Sequence, residues 1–214
     1  MKDIAIYGAG GFGREVQSLI GQLNAKELTY NFVGFFDDGK SKGELINGSP
    51  VLGGMEELNK WSKPLCLALA IGDPGVKKQV FDKITNPLIS FPSLIHPSVM
   101  IGESRFVRID EGCIICGGTI ITVNIVIERF VILNLSCTVG HDTTIGAFSS
   151  FMPTVNISGE VNIGEGVYVG TGAKIINQLS IGEWTIVGAG AVVAKSLPSN
   201  CTAVGVPAKA IKFR

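Results

Sequence analysis

The sequence predicts a small parallel α/β sheet followed by a parallel β-helix. Three observations carry that expectation. Residues before about 90 alternate short apolar runs with segments of helical period. From Ile109 onward an aliphatic or Phe residue recurs at every sixth position, fifteen times in register through Val193. Glycine is abundant, 28 of 214 residues, and often falls directly after those positions, as at Gly140, Gly146, Gly164, Gly170, Gly182 and Gly188.

In the first region "IAIYG" reads as a strand, "GREVQSLIGQL" as a helix and "FVGFFDD" as a second strand. A short helix "MEELNKW", a third strand "LCLALAIG" and a further helix "VKKQVFDKI" follow, and "LISFPSLI" closes the region. Strands alternating with helices imply a parallel sheet with right-handed crossovers. In the second region Ile95 and Ile101 are six apart, two extra residues intervene, and the unbroken period begins at Ile109. A period of six fits neither an α-helix nor an alternating strand. It fits flat six-residue faces with turns at the corners, three faces to a coil of eighteen residues, and coils stacked at the ~4.8 Å of neighbouring strands. The expected division is residues 1–92 for the α/β domain and 93–214 for the β-helix with a short C-terminal tail.

Composition narrows the function classes. Eighteen basic residues balance eighteen acidic ones, so no global field favours nucleic acid or an anionic membrane. No apolar run approaches the ~18 residues of a membrane span. The N-terminus "MKDIAIYGAGGFG" runs straight into glycines rather than through a signal-peptide core, and the expected location is cytoplasmic. Five scattered cysteines suit reduced thiols, and "CIIC" at Cys113–Cys116 reads as structural. With only His96 and His141, the chain cannot supply the three histidines of a zinc carbonic anhydrase site, so no metal is expected. His96, leading into the first coil before a proline, reads as structural.

"GAGGFG", Gly8–Gly13, follows a strand and opens a helix, and Asp37 ends the next strand 24 residues after Gly13. Such glycines suit phosphates at a helix N-terminus, with a carboxylate placed for a ribose. The α/β region is too short for a full dinucleotide fold, which favours a nucleotide or nucleotide-sugar over NAD. A glycine-rich turn needed only for packing is the alternative. Arg14 reads equally as a phosphate-binding cation or a solvated helix residue.

His141 lies in "TVGHDTTIGAF", and Gly159 follows it by eighteen residues, one coil further on. A histidine near a corner beside a glycine N–H could serve acyl transfer as base and oxyanion donor. On spacing alone, a surface histidine in a turn explains it equally well.

The segments "ILNLSCTVGHDTTIGAF", "NISGEVNIGEGVYVGTGAKI", "SIGEWTIVGAGAVV" and "AVGVPAKAIK" resemble the hexapeptide-repeat acyltransferases. Across Ile127–Lys212 the branch they resemble is that of the nucleotide-sugar acetyltransferases labelled sialic acid O-acetyltransferase-like. The resemblance implies a left-handed β-helix, although the general crossover rule points the other way. It also implies a homotrimer with active sites at subunit interfaces. His141 becomes the general base and Asp142 the acid that orients it or raises its basicity. Gly159 donates its amide to the thioester carbonyl, and Ser150, Thr171 and Ala189 lie along the acetyl-CoA cleft. Thr171 and Ala189 are again eighteen apart, as an extended pantetheine arm requires. In the N-terminal domain the nucleotide-sugar contacts fall on Gly10, Gly11, Phe12, Asp37, Asp38 and Gly72. Several relatives with UDP-amino-sugar substrates have His where this chain has Phe12.

The implied activity is acetyl-CoA-dependent N-acetylation of a UDP- or dTDP-linked 4-amino-4,6-dideoxy sugar in surface polysaccharide or glycan biosynthesis. Direct transfer is implied, because no side chain stands out as a covalent carrier. O-acetylation of a sugar of sialic acid type is the alternative, and a binding module without turnover a further one.

Overall fold

The computed structural model describes residues 1–213. Its first part contains β1 (Lys2–Tyr7), α1 (Gly11–Lys26), β2 (Tyr30–Phe36), β3 (Leu45–Ile46), β4 (Ser49–Gly53), α2 (Met55–Asn59), β5 (Leu65–Leu69), α3 (Pro74–Lys83) and β6 (Ile89–Ser90). The sheet order is β3-β4-β2-β1-β5-β6, and every pairing is parallel except the β3–β4 hairpin. That hairpin is absent from the sequence expectation, yet its signal is present. Asn47 and Gly48 occupy its turn with φ of 46° and 78°, the left-handed pair that a tight two-residue hairpin demands. α3 starts two residues before the apolar pattern suggests, because Asp73 caps it by accepting from the Val76 amide and Pro74 fills its first turn. α2 ends before Lys60 and Trp61, shorter than the sequence pattern suggested.

The second part is a three-faced parallel β-helix. The first face stacks Leu94, Ile114, Ile132, Ser150, Tyr168, Ile186 and Thr202, the second Met100, Ile120, Thr138, Asn156, Lys174 and Val192, and the third begins at Val107 and Ile125. Successive partners are eighteen residues apart except at the two ends of the coil, and at the first Leu94 pairs with Ile114 and Met100 with Ile120. The two extra residues lie between the second and third faces, beside the short 3₁₀ turn Ser104–Phe106. The final coil is two residues short, with Val187 against Ala203, and an antiparallel strand, Lys209–Phe213, covers its edge.

The sixfold apolar residues from Ile115 to Val193 are buried in one continuous core. Left-handed backbone sits three residues after the inward position, at Asn124, Phe130, Ser136, Asp142, Phe148, Thr154, Glu160, Gln178 and Trp184. The glycines one residue after it have another cause. A Cβ on Gly140 would stand 2.6 Å from the Gly159 amide, and one on Gly146 would stand 2.5 Å from the Gly164 carbonyl carbon. Coil-to-coil approach, rather than turn conformation, excludes side chains there.

The α/β part packs against the first face and the edge between the third and first faces. Leu94, Ile114 and Ile132 share a core with Ile4, Ile6 and Val16. Phe130 and Phe148, eighteen residues apart, stack with ring centres 5.2 Å apart, and Phe81 and Phe91 pack against Phe130. The Arg129 guanidinium lies 5.4 Å and 5.5 Å from the ring centres of Phe81 and Phe148. Lys77 of α3, 1% exposed, donates to Ser150 Oγ at 2.9 Å. All five cysteines are free and buried, in keeping with the structural reading of Cys113 and Cys116.

Candidate active site

His141 and Asp142 occupy the corner after the second face. Asp142 takes φ 55°, and its amide donates to the Val123 carbonyl at 3.1 Å. This backbone turns the carboxylate toward its neighbour, and Asp142 Oδ2 lies 2.8 Å from His141 Nδ1. The carboxylate accepts, which assigns the proton to Nδ1 and leaves Nε2 with a free lone pair. Asn124, one coil earlier in the same column, donates to Asp142 Oδ1 at 2.9 Å. That bond first, and the one to His141 second, hold the Asp142 carboxyl below the usual carboxylate range. The His141 and Asp142 side chains are 56% and 50% exposed, so the pair faces outward.

Gly159 lies against the imidazole, as the eighteen-residue spacing requires. A Cβ on it would stand 2.5 Å from His141 Nε2 and 2.6 Å from Cε1. Its carbonyl accepts from Gln178, while its N–H has no hydrogen-bond partner among the described residues. A basic nitrogen on an exposed side chain therefore lies against a buried glycine whose amide is unpaired.

Thr171 and Ala189 are exposed on adjacent coils, joined by the Gly190 amide donating to the Thr171 carbonyl at 2.8 Å. They lie on the corner between the first and second faces, not on the His141 corner. One chain does not bring the two sets together. Ser150 departs from its expected place. It lies on the first face under α3 with no exposure, its hydroxyl taken up by Lys77, and so does not line a groove open to a cosubstrate.

The α/β part builds a second cluster at the carboxyl ends of β1, β2 and β5. β1 pairs with β2 on one side and β5 on the other, so the chain reverses its winding here, the usual place for a ligand in an open α/β sheet. A Cβ on Gly13 would overlap the Gly8 carbonyl oxygen, which makes Gly13 a requirement of strand–helix packing. Gly10 and Gly11 differ: a Cβ on Gly10 meets nothing within 4 Å, and one on Gly11 meets only Arg14 Nη2, at 4.0 Å. No side chain caps α1, and its first turn holds no acid, so its N-terminal amides form a ready anion site. Phe12 packs half-buried against the domain core and offers no hydrogen bond.

Asp37 and Asp38 order the loops around this cluster. Asp37 accepts from the Ala9 amide at 2.7 Å and the Gly39 amide at 2.8 Å. Asp38 accepts from the Tyr7 hydroxyl at 2.6 Å and the Met55 amide at 2.8 Å. Burial, and next the Asp38 carboxylate, push the Tyr7 hydroxyl far above its usual range, so it remains a donor. The Tyr7 bond leads in holding Asp38 ionised. Gly72 follows β5, and a Cβ on it would stand 3.9 Å from Met152 at the corner between the first and second faces. The cluster thus reaches the corner between the first and second faces through Gly72 and Met152, while His141 sits on the corner opposite the face that α3 covers. The described residues contain no group of three or more His, Cys, Asp or Glu able to hold a metal ion, and no helix long and apolar enough to cross a membrane.

Comparison with known proteins places these features in a family. The model of the PglD N-terminal domain matches residues 3–84, and that of the bacterial transferase hexapeptide (six repeats) matches 160–195. GDP-perosamine N-acetyltransferase of Escherichia coli O157:H7 is 31% identical over 170 residues, covering 79% of this chain and 76% of that protein. The chain belongs to the hexapeptide-repeat nucleotide-sugar N-acetyltransferases. Solved members agree along the whole length, and the coil is the left-handed β-helix of this family. The acetyltransferase domain of PglB from Neisseria gonorrhoeae FA1090, in complex with acetyl coenzyme A, superposes with a TM-score of 0.88 at 32% identity, covering 98% of this chain and 99% of its own. A histidine-to-asparagine variant of perosamine N-acetyltransferase from Caulobacter crescentus, in complex with CoA and GDP-perosamine, gives 0.86 at 30% identity, covering 99% and 98%.

Proposed function

We propose that the chain transfers the acetyl group of acetyl-CoA to the amine of a nucleotide-linked amino sugar, with His141 as general base. The carrying observation is the contact between His141 Nε2 and Gly159, with Nδ1 held by Asp142. The neutral sugar amine attacks the thioester carbonyl, and its surplus proton passes to Nε2 as the tetrahedral intermediate forms. The Gly159 N–H donates to the developing oxyanion. Collapse breaks the carbon–sulfur bond, and the departing thiolate takes the proton back from the imidazolium, leaving the amide and free CoA. Asp142 keeps Nδ1 protonated throughout. Base catalysis of this kind contributes ~10²–10⁴-fold.

The site is completed between copies of the chain. The nucleotide cradle formed by Gly10, Gly11, Asp37, Asp38 and Gly72 opens at the edge carrying Thr171 and Ala189, whereas His141 and Gly159 lie on the far corner of the same prism. A homotrimer brings the His141 corner of one chain to the cradle of the next. Exposed apolar residues on and beside the second face, Met100 at 62% and Leu135 at 48%, suit such burial. An amine acceptor is favoured over a hydroxyl because two relatives are a GDP-perosamine N-acetyltransferase and a UDP-N-acetylbacillosamine N-acetyltransferase. Acetyl-CoA as donor and five buried, unpaired cysteines suit the cytoplasm.

The test is thiol release from acetyl-CoA with GDP-, UDP- and dTDP-linked 4-amino-4,6-dideoxy sugars as acceptors, products weighed by mass spectrometry. Turnover that adds one acetyl group and falls at least a hundredfold in His141→Asn is expected. Absence of turnover with every amine acceptor overturns the reading.

A further inference from the structure

The catalytic corner belongs to a longer column of turns. Asn124, Asp142, Glu160 and Gln178 form a single column, each eighteen residues from the next and each in left-handed backbone. The column is divided into two rungs. Asn124 Nδ2 donates to Asp142 Oδ1 at 2.9 Å, and Gln178 Nε2 donates to Glu160 Oε2 at 3.2 Å. Each amide thus holds one carboxylate, and only the lower carboxylate reaches the imidazole. Glu160 is the other titratable group in this column and is turned to Gln178.

We infer that Asn124 is a positioning residue for acetyl transfer: by fixing Asp142 Oδ1 it points Oδ2 at His141 Nδ1 and keeps Nε2 directed at Gly159. This inference rests on the assignment of His141 as base. Asp142 is half exposed, so without Asn124 its carboxylate is free to rotate into water and release the imidazole. The same bond is the leading cause that holds the Asp142 carboxyl ionised, and so keeps it an acceptor for the Nδ1 proton.

A hydrogen bond between stacked turns also has a plain structural reading, as a stitch between coils, and the Gln178–Glu160 rung supplies the control. Asn124→Gly removes the amide while tolerating the left-handed backbone, Asn124→Asp replaces the donor by a second carboxylate, and Gln178→Gly cuts the upper rung. Two readouts separate aiming from stitching. With only His96 and His141 in the chain, NMR of isotope-labelled histidine reads the His141 tautomer without any substrate, the signal assigned by His141→Asn. kcat and KM are measured in parallel with acetyl-CoA and GDP-perosamine, or the UDP- or dTDP-linked amine that is turned over.

Asn124→Gly is expected to lower kcat about tenfold or more, with KM for acetyl-CoA nearly unchanged, as loss of one hydrogen bond to a charged group implies. The His141 ring-nitrogen signals should lose the single Nδ1-protonated pattern and show a mixture of tautomers. Asn124→Asp should not restore kcat, and Gln178→Gly should change neither kcat nor the tautomer. Wild-type kcat and an unchanged tautomer in Asn124→Gly, with His141→Asn inactive, would overturn the inference alone. Full activity in His141→Asn would overturn the base assignment and the inference with it.

Discussion

Replacement of Lys77 by methionine should stabilise the protein near neutral pH and change the shape of its stability curve. Lys77 is 1% exposed between α3 and the first face, and its amine donates to Ser150 Oγ. Burial pushes the amine down to about 7, opposed only by more distant Cys113 and Asp73. No carboxylate forms an ion pair with it among the described residues. The folded value lies below the unfolded one, so between about 7 and the ordinary lysine range the native state binds fewer protons than the unfolded chain. Stability therefore rises with pH across that window, and below about 7 the full cost of burying the charge is present. At ~1.4 kcal/mol per unit the cost at acidic to neutral pH reaches roughly 5 kcal/mol. Lys77→Met removes it and gives up one hydrogen bond, roughly 1–3 kcal/mol, for a net gain of about 2–4 kcal/mol near pH 6. For a chain of this length that is a rise in Tm of about 4–16 °C. Near pH 10 little of the charge cost remains, and the variant should be no more stable than wild type. Thermal and denaturant unfolding between about pH 6 and pH 10 reads both curves. Parallel curves, with the variant less stable throughout, would refute the claim that Lys77 carries a strained buried charge.

Other substitutions probe the site and its supports separately. Gly159→Ala places a methyl group 2.5 Å from His141 Nε2 and should lower kcat by about 10²–10³ with little change in Tm, checked by steady-state kinetics beside calorimetry. Gly10→Ala enters open space and should leave the fold intact while raising KM for the nucleotide sugar. Gly13→Ala overlaps the Gly8 carbonyl and should lower Tm or prevent soluble expression, so the pair separates ligand approach from packing. Phe130→Ala opens the aromatic cluster that seats α3 on the coil and should cost roughly 3–5 kcal/mol in chemical unfolding.

How much of this was legible in the sequence follows from which interactions are periodic. The β-helix was readable because one coil repeats the same demand every sixth residue, and the same arithmetic set His141 against Gly159 before any coordinates. It reaches Asn124 equally well, eighteen residues before Asp142, but Asn is an unremarkable turn residue, and only the direction of its amide distinguishes it. Ser150 was misplaced for the opposite reason. Its column is periodic, but whether the first face meets solvent or α3 depends on how the α/β part docks, and no local pattern records that. The β3–β4 hairpin was missed although "NG" marked it, because its strands are too short to show alternation. Asp37 and Asp38 were legible as acids at a strand end, but their bonds to Ala9, Tyr7 and Met55 join three separate loops.

A site shared between chains is the central claim, and subunit complementation tests it most directly. A chain carrying His141→Asn and a chain carrying Gly11→Trp, which blocks the α1 amides, are each expected to be inactive. Co-expressed under two tags and purified as mixed assemblies, they should recover about a third of wild-type activity, because every mixed trimer has one interface of three with an intact base on one side and an intact cradle on the other. Mixed assemblies as inactive as their parents would contradict the account and place the base and the nucleotide cradle of each reaction within a single chain.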